Sequence, residues 1–131
     1  MSNSIGAPKQ ILVGSSIPGL PLSAVVGHGD LLFVSGIVGR DLKTHEIALD
    51  DMFAQTDQML RNIQNFLEQA GSSMDKVLKV TVFVTDMSRF QEMNRAYRAF
   101  FPSEPPARSA IGVAALPEAE ALVEAEVIAA R

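Results

Sequence analysis

Two strand-like segments near the C-terminus carry the side chains whose chemistry the rest of the sequence does not explain. The first, residues 105–117, is a small apolar run with one charged residue, Arg108, near its start. Prolines bracket it. Pro102, Pro105 and Pro106 break any preceding helix, because proline lacks an N–H and disfavours α geometry in the residue before it, and Pro117 stops the strand. A guanidinium is costly to bury without an anion. Arg108 therefore needs a carboxylate, from the protein or from a ligand, or else a solvated strand end. The second segment, residues 122–130, alternates. Leu122, Glu124, Glu126 and Ile128 project to one side, and Val123, Ala125, Val127 and Ala129 to the other. Glutamate is depleted in strands. Two of them, roughly 6.5–7 Å apart on one face, form either a solvated face or a pair of which at least one faces Arg108. An arginine can hold a ligand carboxylate bidentately, and a placed glutamate can accept a proton.

Other chemistries have little to work with. The chain has no cysteine, which excludes disulfides, thiolate–zinc sites and a cysteine nucleophile. His28 and His45 have no partner at a spacing suited to a metal or a triad and read as loop residues. The net charge is −4 with no basic run, so nucleic acid is a poor default partner. The 131 residues, 47% apolar and 20% charged, suit one globular domain over 1–131. No apolar run reaches the ~18 residues of a membrane span. Residues 1–8 show no basic region followed by an apolar stretch, so no signal peptide is expected and cytoplasm is the default.

These residues need elements to hold them. Residues 9–13 suit a first strand, and residues 14–21 form a loop whose Leu and Ile content suggests that it covers something. Residues 23–27 and 31–35 flank His28-Gly29-Asp30 as a hairpin, with Ser35-Gly36 at its end. Gly36 suits a bulge or turn, or the close approach of a backbone or ligand. From Phe53 the period becomes helical, with Phe53, Thr56, Met59, Leu60, Ile63, Phe66 and Leu67 on one face, Asp50 or Asp51 as cap and Gly71 just past the end. Residues 77–85 form a strand with Leu78, Val80, Val82 and Val84 on one aliphatic face. Ser88 and Gln91 match a capping box for a second helix, whose stripe is Phe90, Met93, Tyr97 and Phe100 with Asn94 at its edge. An antiparallel hairpin between the last two strands, turning at 116–120, is the natural pairing. The order β-β-β-α-β-α-β-β predicts an α+β fold, a mixed sheet with both helices on one face. The bare face predicts an oligomer.

In this order the residues also match a known family. Leu32-Phe33-Val34-Ser35-Gly36, Ala70-Gly71-Ser72-Ser73, residues 80–87, Phe90 through Asn94, Tyr97 to Phe101, Pro106-Ala107-Arg108-Ser109 and residues 122–129 together resemble the RidA/YjgF family of reactive-intermediate deaminases, also called the endoribonuclease L-PSP family. The resemblance implies a chorismate-mutase-like fold and a homotrimer with a central β-barrel and sites in clefts between subunits. It implies hydrolysis of 2-imino or 2-enamino acids to 2-oxo acids and ammonia, without metal or cofactor. It gives Arg108 the substrate carboxylate and Glu124 the water. Gly36 and the backbone around Ala110 line the pocket, and Asn94 supports it.

The sequence also departs from that pattern. The usual Tyr-Ser-Gln-Ala reads Leu22-Ser23-Ala24-Val25, so Leu22 takes the place of the pocket tyrosine. Ala110 replaces a common cysteine, and Ile37 a common glutamine. The pocket is thereby more apolar. Two readings follow: an imine/enamine deaminase, general or devoted to one pathway, and a trimer that binds small carboxylates, or regulates, without turnover.

Overall fold

A computed structural model describes residues 8–131; the reading of the first residues as lacking a signal peptide lies largely outside them. The elements follow the expected order: β1 (Gln10–Gly14), β2 (Ser23–His28), β3 (Leu31–Val38), α1 (Met52–Gln69), β4 (Val77–Val84), α2 (Phe90–Arg98), β5 (Ala107–Gly112) and β6 (Val123–Ala130). The strands form one mixed sheet in the order β1-β2-β3-β6-β4-β5. Gly29, at φ +58°, turns the β2–β3 hairpin, in which His28 pairs with Leu31.

The last two strands do not form the expected hairpin. β5 pairs parallel to β4, and β4 stands between it and β6. The unit β4-α2-β5 is thus a crossover connection, and parallel neighbours require one. Residues 113–122, between β5 and β6, are long enough to carry the chain back past β4.

Both helices cover one face. The core there includes Leu60, Ile63 and Leu67 of α1, Met93 of α2, and Val80, Val82, Val123 and Ala125 of the sheet. Asp51 caps α1, accepting from Ala54 N at 2.9 Å, whereas Asp50 sits at φ +53° and pairs with Arg89. Gly71 takes the left-handed position beyond α1 at φ +83°. Two details of the helical pattern differ from expectation. Phe53 is partly exposed beneath the Arg95 guanidinium, and Met52 is buried in its place. Gln55 and Asn62 are buried too, because they bond loop backbone: Gln55 to Ala48 O, Glu120 O and Leu122 N, and Asn62 to Val38 O and Arg40 O.

In β4 the aliphatic face begins at Val80. A register shift between Val77 and Lys79 turns Leu78 out to solvent. The capping box at Ser88 does not form. Asp86 caps a short 3-10 turn, Met87–Arg89, through Ser88 N and Oγ, and α2 starts only at Phe90.

The face away from the helices carries Ile11, Leu31, Phe33 and Ile111, all substantially exposed. Among the described residues, no helix is long and apolar enough to cross a membrane.

Candidate functional site

The six residues that the sequence singles out separate into two groups on opposite faces of the sheet. Directly paired strand residues point the same way. Arg108 lies in line with Val80 and Val127, which are buried toward the helices. Glu124 lies in line with Phe83 and Ile111, which face away from them. Two strand spacings and three residues of offset add about 10 Å across and about 10 Å along the sheet. Within one chain, then, Arg108 does not meet Glu124 or Glu126.

The first group is Arg108, Asn94 and Ala110. The proline pair 105–106 delivers Arg108 at the start of β5, beside the stripe of α2 that carries Phe90, Asn94 and Tyr97. Its Nη1 donates to Asn94 Oδ1 at 2.8 Å. Its guanidinium carbon lies 4.7 Å from the Tyr97 ring centre and 5.5 Å from that of Phe90. Asn94 thus bonds an arginine and not local backbone. Arg108 is exposed, as a strand-end cation can be, and aromatic faces and an amide oxygen hold it at the surface. No carboxylate of the described residues forms an ion pair with it. Ala110 shares this face and packs against the core. Beneath the guanidinium, the Tyr97 hydroxyl is buried without a hydrogen-bond partner. Burial pushes its pKa up to about 12, against the opposing pull of Arg108.

The second group is Glu124, Gly36 and Leu22. The pairing of β3 with β6 jumps between Val34 and Ile37, so Ser35-Gly36 forms a bulge inside β3 and not its end. Ser35 Oγ fastens the bulge to Ser23 O at 2.6 Å. A Cβ on Gly36 would stand 2.5 Å from Glu124 Oε2 and 3.0 Å from its carboxyl carbon. Gly36 therefore serves as both bulge and close approach. Glu124 is half-buried. Burial first, then the nearby charges of Glu126 and Glu118, hold its pKa above the usual carboxylate range. Glu126 is exposed, beside a separate hollow with Phe33, Lys79 and Thr81.

Glu124, Gly36 and Leu22 line a cavity of about 420 Å³, a volume suited to a small ligand. The loop 15–22 covers it, as its composition suggested. On the rim lies an arginine that sequence reasoning missed. Arg40 pairs with Glu118 at 2.9 Å and Glu120 at 3.5 Å, and donates to His45 O at 2.6 Å, tying the 41–46 loop to the turn before β6. Two acidic residues just after Pro117 were its only signal, and their partner lies 78 and 80 residues earlier. His45 stands in that loop at φ +64°, while His28 ends β2. No group of three or more possible metal ligands occurs among the described residues.

Known proteins share this architecture and sequence. The model of the Endoribonuclease L-PSP family matches residues 15–131. A RutC family protein of Pyrococcus horikoshii is 43% identical over 109 residues, covering 83% of this chain and 86% of that protein. Reactive Intermediate Deaminase A of Arabidopsis thaliana is 35% identical over 109 residues, 83% of this chain and 58% of that protein. The crystal structure of the YjgF gene product of E. coli superposes with a TM-score of 0.85 at 34% identity, covering 93% of this chain and 98% of that one. A family model matched over residues 15–131, relatives alike along most of the chain and a shared fold place this chain in the endoribonuclease L-PSP family, that of the RidA/YjgF proteins.

Proposed function

We propose that this protein hydrolyses 2-imino and 2-enamino acids to 2-oxo acids and ammonia, at sites completed between the subunits of a homotrimer. One observation carries the reading. Among the described residues Arg108 pairs with no carboxylate, and Glu124, on the other face of the sheet, lines the cavity without an ion pair, the nearby Arg40 being taken by Glu118 and Glu120. Each supplies what the other lacks, and a second copy of the chain can bring them together. The exposed apolar residues Ile11, Leu31, Phe33 and Ile111 give such copies a surface to bury. The name of the Arabidopsis relative supports this kind of reaction.

The chemistry asks little of the protein. An iminium carbon is already electrophilic. Arg108 grips the substrate carboxylate with two parallel N–H donors, and its stacking on Tyr97 and Phe90 fixes the fork. Holding C2 in place against a water removes several kcal/mol of barrier. The water oxygen bonds to C2 as its proton passes to Glu124, whose raised pKa makes it a better base than an ordinary glutamate. The C=N π electrons go to nitrogen, Glu124 returns its proton there, and as the C2–N bond breaks to release ammonia the new hydroxyl forms the C2=O bond and gives up its proton. Imino acid and water become oxo acid and ammonia, with no change of oxidation state.

The test supplies 2-iminobutanoate, made in place by an amino-acid oxidase, and follows imine loss. The wild type should accelerate it, and Arg108→Ala and Glu124→Gln should each lose at least about 100-fold. Equal rates for wild type and variants would refute the reading. Arg108-dependent binding of 2-oxo acids without imine loss would instead favour a carboxylate-binding protein.

A further inference from the structure

The geometry points to a substrate class: 2-imino acids with a large apolar side chain, of the branched-chain or aromatic kind, with that side chain lodged in the cavity under the 15–22 loop. This rests on the deaminase reading above and narrows it.

Three observations converge. Ile17, Leu20 and Leu22 all lie on the one loop over the cavity and remain 47%, 44% and 47% exposed. Core packing does not account for three large apolar side chains clustered there, whereas a ligand that covers them does. On the inner side, Ile37, Leu42 and Phe66 continue the same apolar lining. A methyl group would leave most of the roughly 420 Å³ to water lying against apolar walls, whereas a larger apolar side chain would remove those walls from water.

The polar groups of the lining are largely engaged by the protein itself. Ser35 donates to Ser23 O. Asp41 accepts from Lys43 N and Thr44 N. Asn62 donates to Val38 O and Arg40 O and accepts from Gln58. Arg40 is taken by Glu118, Glu120 and His45 O. A polar substrate side chain would lose its water here and find few free partners, which penalises it. An apolar one loses nothing. Glu124 stands in this lining, so a ligand whose C2 is at that carboxyl has its side chain beside the apolar wall.

The experiment measures kcat/KM for imines generated from alanine, 2-aminobutyrate, norvaline, leucine and phenylalanine. In parallel, calorimetry measures binding of the matching 2-oxo acids. Each buried methylene is worth about four-fold, so the leucine-derived imine should exceed the alanine-derived one by about 50-fold. Leu20→Ser, at an exposed position, should compress that ratio. If all imines are hydrolysed in an Arg108-dependent way with a flat or falling series, the inference is overturned and the deaminase reading stands. If none is hydrolysed but oxo-acid affinity climbs with apolar size, the cavity assignment is supported and the hydrolysis reading falls. If neither turnover nor graded binding occurs, both are overturned.

Discussion

The α-carbon of Gly36 and the carboxyl of Glu124 are packed so closely that any side chain at position 36 would displace the carboxyl: an added methyl would lie 2.5 Å from Glu124 Oε2. The obstructing atoms belong to the end of a flexible side chain, so Gly36→Ala should fold. The carboxyl, however, must swing away. A displacement of about 1 Å at a reacting group can cost about 100-fold in rate. We expect Gly36→Ala to lose about that much kcat with a thermal midpoint within a few degrees of wild type. Parallel losses of stability and activity would show that the glycine serves the backbone alone.

On the proposed mechanism Glu124 sets the pH dependence. Burial, then Glu126 and Glu118, raise its pKa in the folded state. The folded chain therefore binds its proton more tightly than the unfolded chain does. Stability from this group falls as pH rises from the ordinary glutamate value through the raised one, and the full cost applies above it. As a base Glu124 works only when ionised, so the acid limb of the rate profile should lie above the usual carboxylate pKa. Glu124→Gln should abolish that limb, slow hydrolysis by ~10²–10⁴-fold, and melt no lower than wild type at neutral pH. A less stable Glu124→Gln would contradict the assignment.

Asn94 offers a test of the anion site. Its Oδ1 lies 2.8 Å from Arg108 Nη1. Asn94→Asp keeps the shape and supplies a carboxylate from within the chain. We expect KM to rise about ten-fold or more while the fold persists, because substrate must now displace an internal anion. An unchanged KM would mean that Arg108 does not bind the substrate carboxylate.

Tyr97 places a ring under Arg108 and a hydroxyl in a dry setting with no partner. An unsatisfied buried polar atom costs about 1–3 kcal/mol. Tyr97→Phe should therefore raise the melting temperature by a few degrees and leave Arg108 stacked. Destabilisation by that change would reveal a hydrogen bond to the hydroxyl in the assembled protein.

Much of this was legible in the sequence because it is periodic. The spacing of Met59, Ile63 and Phe66 marks α1, and the alternation from Leu122 to Ala129 marks β6 with its glutamates on the outer face. Strand partnership is not periodic. Nothing in residues 107–112 says that they pair with β4 and not with β6, and the hairpin expectation failed there. The same gap hid which glutamate matters. Glu124 and Glu126 share a face, and only the β3 bulge, set by pairing, carries the cavity to Glu124. Asn62 and Gln55 look like misplaced polar residues until the loop carbonyls that they bond are in view.

Because Arg108 and Glu124 lie on opposite sides of one sheet, the proposed mechanism predicts that damage to either can be shared out among copies. Mixing Arg108→Ala chains with Glu124→Gln chains, unfolded and reassembled at equal amounts, should return activity that neither has alone. With each centre drawing one residue from each of two neighbouring chains, random assortment restores about a quarter of the centres. Two inactive proteins would thereby complement each other in the test tube, and a cell carrying both alleles would keep the reaction.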